Sequence, residues 1–83
     1  MTYQINNYNF KHDGKDYLAY GKATYVVEHD AEVGPEAVFE AVELQECIGA
    51  KGFVPAEELR GMEDSLLVYL NKDGHICRVL GSR

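Results

Sequence analysis

The stretch Phe10–Glu28, FKHDGKDYLAYGKATYVVE, decides the fold. Asp13-Gly14 separates two runs rich in aromatic and β-branched residues. In that setting Asp-Gly is the pair of a two-residue hairpin, because such a turn needs φ > 0 at both central positions. After the turn, Tyr17, Ala19, Gly21, Ala23, Tyr25 and Val27 recur at every second residue, interleaved with Leu18, Tyr20, Lys22, Thr24, Val26 and Glu28. A period of two puts the first set on an almost wholly apolar face and the second on a mixed one. The small side chains of Ala19, Gly21 and Ala23 leave room for a helix to pack closely. Before the turn, Thr2–Lys11 carries Tyr3, Ile5, Tyr8 and Phe10, which suit a pleated surface. Its alternation slips at Asn6-Asn7, as at a β-bulge.

Towards the C-terminus, His29–Glu36 contains Gly34-Pro35 and reads as a loop. Ala37–Ile48 can be read two ways. As a helix it has Pro35 in the first turn, Gly49 just past the end, and Glu36, Glu40 and Glu43 along one face. As a strand it sets Val38, Val42 and Leu44 on one face, interrupted by Glu40. Local physics leans towards the helix. Ala50–Phe53 reads as a turn, and Pro55 opens a helical stretch in which Leu59, Met62, Leu66, Leu67 and Leu70 recur at steps of three and four. Gly61 is expected to split it into a short turn and a main helix, Met62–Lys72. Gly74 stands in the left-handed stop position, and His75–Leu80 reads as a short edge strand. The expectation is one α+β domain over residues 1–83: a small antiparallel sheet built on the N-terminal hairpin and packed against one main amphipathic helix.

The chain has 83 residues and a formal net charge of −6. A chain this short buries only about 60–65% of its unfolded surface, so an enclosed reaction cavity would consume much of its core. No run approaches the roughly 20 apolar residues of a membrane helix. No basic segment followed by an apolar one marks a signal peptide. A cytosol is therefore the expected compartment, with Cys47 and Cys77 as reduced thiols. The charge is unevenly placed. Ala23–Ala50 contains Glu28, Asp30, Glu32, Glu36, Glu40, Glu43 and Glu46 and not one Lys or Arg. Such a block repels phosphates and favours a basic partner; the plainer reading is a solvated acidic face that keeps the chain soluble.

Candidate chemistry is sparse. His75 and Cys77 form an H-x-C pair, but no second ligand pair accompanies it, whereas a structural zinc site takes two. Scattered core and surface residues account better for Cys47, His12 and His29. Neither cysteine lies in a nucleophile motif, and Asp30–Glu36 lacks the spacing of a calcium loop. No phosphate-binding glycine motif is present. Neither a catalytic residue nor a metal or other cofactor is expected. A sequence pI of about 4.9 speaks against direct nucleic-acid binding. The remaining signal is tyrosine: Tyr3, Tyr8, Tyr17, Tyr20 and Tyr25 all lie on the hairpin, and tyrosine is enriched at interfaces.

The order of features, carried by Phe10–Val27, then Phe39–Leu44, then Phe53–Leu59 leading into Leu66–Leu70, resembles a loose class of small proteins encoded by phages and prophages. The resemblance implies that Ala37–Cys47 is a strand, and with it the balance tips slightly to strand. Small acidic phage proteins of this size look like anti-CRISPR and other host-defence inhibitors, a likeness of size, charge and style rather than of named residues. The functional expectation is a non-enzymatic acidic binding protein that blocks the basic nucleic-acid channel of a nuclease or CRISPR effector. Its partner-binding residues would be Glu28, Asp30, Glu32, Glu36, Glu40, Glu43, Glu46 and Tyr20. The alternative expectation is a phage assembly accessory that self-associates through its sheet.

Overall fold

In a computed structural model, residues 1–82 are described. Strands β1 (Thr2–His12), β2 (Lys15–Asp30), β3 (Gly34–Gly49) and β4 (Gly52–Phe53) are followed by helices α1 (Ala56–Lys72) and α2 (Gly74–Gly81). The strands form one antiparallel meander in the order β1-β2-β3-β4. Both helices pack on the same face, which makes an α+β fold as the hairpin reading requires. Asp13 and Gly14 take φ of 52° and 76°, both positive as the turn demands. The register slips between Ile5 and Tyr8, where Asn7 adopts φ 56°, so the bulge lies where the alternation fails.

β2 presents Ala19, Gly21, Ala23 and Tyr25 to the core and Lys22, Thr24, Val26 and Glu28 to solvent. The two-face reading of this strand therefore holds. Ile5, Phe10, Phe39, Leu44, Cys47, Leu59, Met62, Leu66 and Leu70 complete the centre of the core. Two aromatic contacts tie its outer part together: Tyr3 meets Phe39 edge-on at 5.8 Å, and Tyr25 meets Phe39 at 5.6 Å.

The ambiguous segment is strand, and its helical appearance has a physical cause. The β2–β3 register shifts twice, leaving Glu40 and Gln45 as extra residues on β3. Each bulge resets the alternation. The core-packed residues Ala37, Phe39, Val42, Leu44 and Cys47 are therefore spaced by two, three, two and three, which mimics a helical stripe. Gly34–Glu36, expected in a loop, already belong to β3. The connection shrinks to Ala31–Val33, held by Asp30, whose Oδ1 accepts the N–H groups of Glu32 at 2.7 Å and Val33 at 3.3 Å.

Two helix expectations are corrected. Gly61 does not split α1; it faces open space, so the helix runs through it. Gly74 does not stop α1 but opens α2, and His75–Leu80 is helix rather than edge strand. Asp73 makes the difference: its Oδ1 accepts the Ile76 N–H at 3.2 Å, capping α2. A strand would have put Cys77 and Leu80 on opposite faces; the helix buries both. Gly81 then lies so close to β3 that a Cβ there would fall 2.5 Å from the Pro35 carbonyl oxygen.

β4 covers β3 only at Ile48 and Gly49, so most of the outer edge of β3 lacks a strand partner. Side chains of α1 occupy that edge instead. Asn71 accepts the Phe39 N–H at 2.8 Å and donates to the Phe39 carbonyl at 3.0 Å, as a neighbouring strand would. Glu63 Oε2 accepts the Leu44 N–H at 2.9 Å. These contacts satisfy the backbone and block edge-to-edge pairing.

Candidate binding surface

On the face of the sheet opposite the helices, beside the residues of β1, lie the cross-strand pairs of β2 and β3. From one end to the other they are Leu18–Ile48, Tyr20–Glu46, Lys22–Glu43, Thr24–Ala41, Val26–Val38 and Glu28–Glu36. Directly opposed residues share a face, and the core-facing partners Ala19–Cys47, Ala23–Val42 and Val27–Ala37 fix this as the outer one. Glu28, Glu36, Glu43 and Glu46 therefore come together on one surface. Glu40 is exposed at its bulge, and Asp30 and Glu32 are exposed at the turn beyond Glu28. The whole acidic block thus lies along β3 and at the β2–β3 end of the molecule.

Only one of these seven carboxylates meets a base among the described residues: Glu43 lies 3.9 Å from Lys22 Nζ. Both partners are solvated, so the pair stabilises little. Asp30 is committed to the turn that it braces. Tyr20 is on the expected face, but its hydroxyl donates to Asn7 Oδ1 at 3.0 Å, bracing the β1 bulge. Glu28 stands directly across from Glu36, and like charges in that position are destabilising, by roughly 0.2–1 kcal/mol. With His29, Asp30 and Val38 they line a shallow concavity of about 450 Å³. Its acidic lining and the apolar side chain of Val38 match a Lys or Arg side chain, whose stem is apolar and whose head is cationic.

The outer face is not uniformly polar, as a solvated face of an antiparallel sheet usually is. Val26 is 40% exposed and pairs with Val38. At the far end Phe53, 69% exposed, pairs with Ile48, which in turn faces Leu18. The exposed phenyl ring of Phe53 carried no signal in the sequence, where it reads as part of a glycine-rich turn.

Elsewhere, Ser65 Oγ lies 2.8 Å from His12 Nδ1, and Asp13 Oδ2 is 3.6 Å from His12 Nε2. The order of atoms suggests a nucleophile with its base, yet Asp13 is beyond hydrogen-bonding reach and its side chain is 87% exposed. The contact fastens the hairpin turn to α1 across 53 residues of chain, a pairing no local pattern announces. Cys47 and Cys77 are free thiols and buried. Burial pushes both thiols up from their ordinary range, and Glu36 and Asp73 raise Cys77 further against the opposing pull of Arg78. Thiols so placed are poor nucleophiles. Among the described residues no group of three or more His, Cys, Asp or Glu is arranged to hold a metal ion, and no helix is long and apolar enough to cross a membrane.

Comparison with known proteins finds no matching family model, no matching curated protein and no matching solved structure.

Proposed function

We propose that this chain is a non-enzymatic acidic binding protein that presents the outer face of β2–β3 to the basic surface of a protein partner. The named partner is a phage host's defence nuclease or CRISPR effector, whose nucleic-acid channel is lined with Lys and Arg. Carboxylates in that channel take the place of phosphates and exclude the nucleic acid by charge and bulk. A single observation carries the reading: seven carboxylates lie along one strand and one end of the molecule, with one solvated Lys as their only ion-pair partner among the described residues. The test is competition with target DNA for a guide-loaded effector, comparing the parent chain with E36K/E40K/E43K. The parent competes, and its affinity falls as salt rises; the variant loses at least 100-fold. Unchanged affinity and salt dependence in the variant would overturn the reading.

A second reading rests on β1, whose outer edge has no strand partner in the sheet order. An assembly protein would self-associate there. The bulge at Asn6-Asn7 and the charge of Lys11 are both features that discourage edge pairing, which places this reading second. Light scattering on a size-exclusion column separates the two: a concentration-independent oligomer supports assembly, and a monomer removes it.

A further inference from the structure

We infer that the outer face of β2–β3 takes one particular element of its basic partner, an amphipathic helix of about five turns. The inference rests on the binding reading above and adds the shape of what is bound. Its basis is the layout of apolar and charged pairs along the two strands. Leu18, Ile48 and Phe53 form an apolar patch at one end, and Val26 with Val38 forms another eight residues further along β2. At about 3.3 Å per residue the patches are about 26 Å apart. A helix rising 1.5 Å per residue covers that distance in about 17 residues. The opposite face of the same sheet already packs a helix of that length, since α1 has 17 residues.

Charge selects the occupant. Between and beyond the apolar patches the outer pairs carry Glu46, Glu43, Glu36 and Glu28 against Lys22 alone. A second copy of this chain would bring the same excess of carboxylates to the contact and be repelled. Nucleic acid and an anionic bilayer are repelled for the same reason. A helix with a leucine-like stripe and flanking Lys or Arg meets both requirements. One of its cations enters the concavity between Glu28 and Glu36, where it also relieves the repulsion of that opposed pair.

The experiment uses the full chain and three synthetic peptides of 18 residues at 150 mM salt, with binding followed by calorimetry. The first places Leu at helical i, i+3, i+4 and i+7 positions with Lys between. The second has the same composition without the stripe, and the third is oligolysine. The striped peptide is expected to bind one-to-one and at least tenfold more tightly than the second. V26T/V38T/F53S, checked for folding by circular dichroism, should bring that ratio close to one and leave oligolysine binding unaltered. E28Q/E36Q should weaken all three peptides. Equal binding of striped and unstriped peptides, still weakened by E28Q/E36Q, overturns the helix and leaves the acidic reading standing. Failure of all three to bind overturns both. Self-association of the parent chain that V26T/V38T/F53S abolishes overturns the inference in favour of a second copy.

Discussion

Tyr8 shows how one side chain links the first strand to the last helix. Its hydroxyl donates to Asp73 Oδ2 at 3.0 Å, while the other carboxylate oxygen of Asp73 caps α2. Burial first, then the hydrogen bond and charge of Asp73, hold the Tyr8 phenol well above its ordinary range. Tyr8→Phe is expected to lower stability by about 1 kcal/mol, read as a lower midpoint in urea at an unchanged slope. Asp73→Ala also removes the cap and should cost about 2 kcal/mol. The pH dependence has a definite sign. A group whose pKa is raised by folding contributes stability while it is protonated, and that contribution is lost as pH rises past the unfolded value. The buried thiols open this alkaline limb near the ordinary cysteine value of about 8.5, and Tyr8 extends it above about 10. Tyr8→Phe should therefore reduce the loss of stability above pH 10, leaving the part due to Tyr3, whose phenol is also raised by burial, and the earlier part in place. In the native protein, neither thiol should react with an aromatic disulfide reagent at pH 8; prompt labelling would contradict their burial.

At the scale of elements, the edge of β3 is the place to look. Asn71 supplies both a donor and an acceptor to Phe39, so Asn71→Ala leaves two backbone groups to find water. A loss of about 2 kcal/mol is expected, together with aggregation from the uncovered edge; Asn71→Ala with the parent's urea midpoint and solubility would show the edge needs no cover. Gly81→Ala forces α2 off the Pro35–Glu36 backbone and should cost about 1–3 kcal/mol. These elements differ in how far the sequence announces them. The hairpin is legible because its turn residues and alternation agree, and even its bulge shows at Asn6-Asn7. β3 is not, because Glu40 and Gln45 reset its phase and disguise strand as helix. α2 is hidden because Asp73-Gly74 serves equally as the end of one helix and the cap of the next. The acidic block can be read from the sequence, but its gathering on one face depends on the β2–β3 register. The Phe53–Ile48–Leu18 patch depends on a two-residue strand that no period reveals.

For the whole molecule, the binding reading proposed above predicts that the seven carboxylates make stability and binding respond to salt with opposite signs. The molecule measures 44 × 22 × 18 Å and carries a net charge of −6. Neighbouring carboxylates, above all the directly opposed Glu28 and Glu36, repel one another within the Debye length of about 8–10 Å at physiological salt. Added salt screens that repulsion and should raise the melting temperature. The same salt screens attraction to a basic partner and should weaken the complex. Glu36→Gln separates the two effects at one atom, because Glu36 directly faces Glu28. It is expected to stabilise the free chain by roughly 0.2–1 kcal/mol, and to reduce affinity for the striped lysine peptide at low salt. A surface kept acidic for solubility alone would show the first change without the second. A variant that is more stable yet binds less tightly marks Glu36 as a residue held for recognition at the expense of the fold.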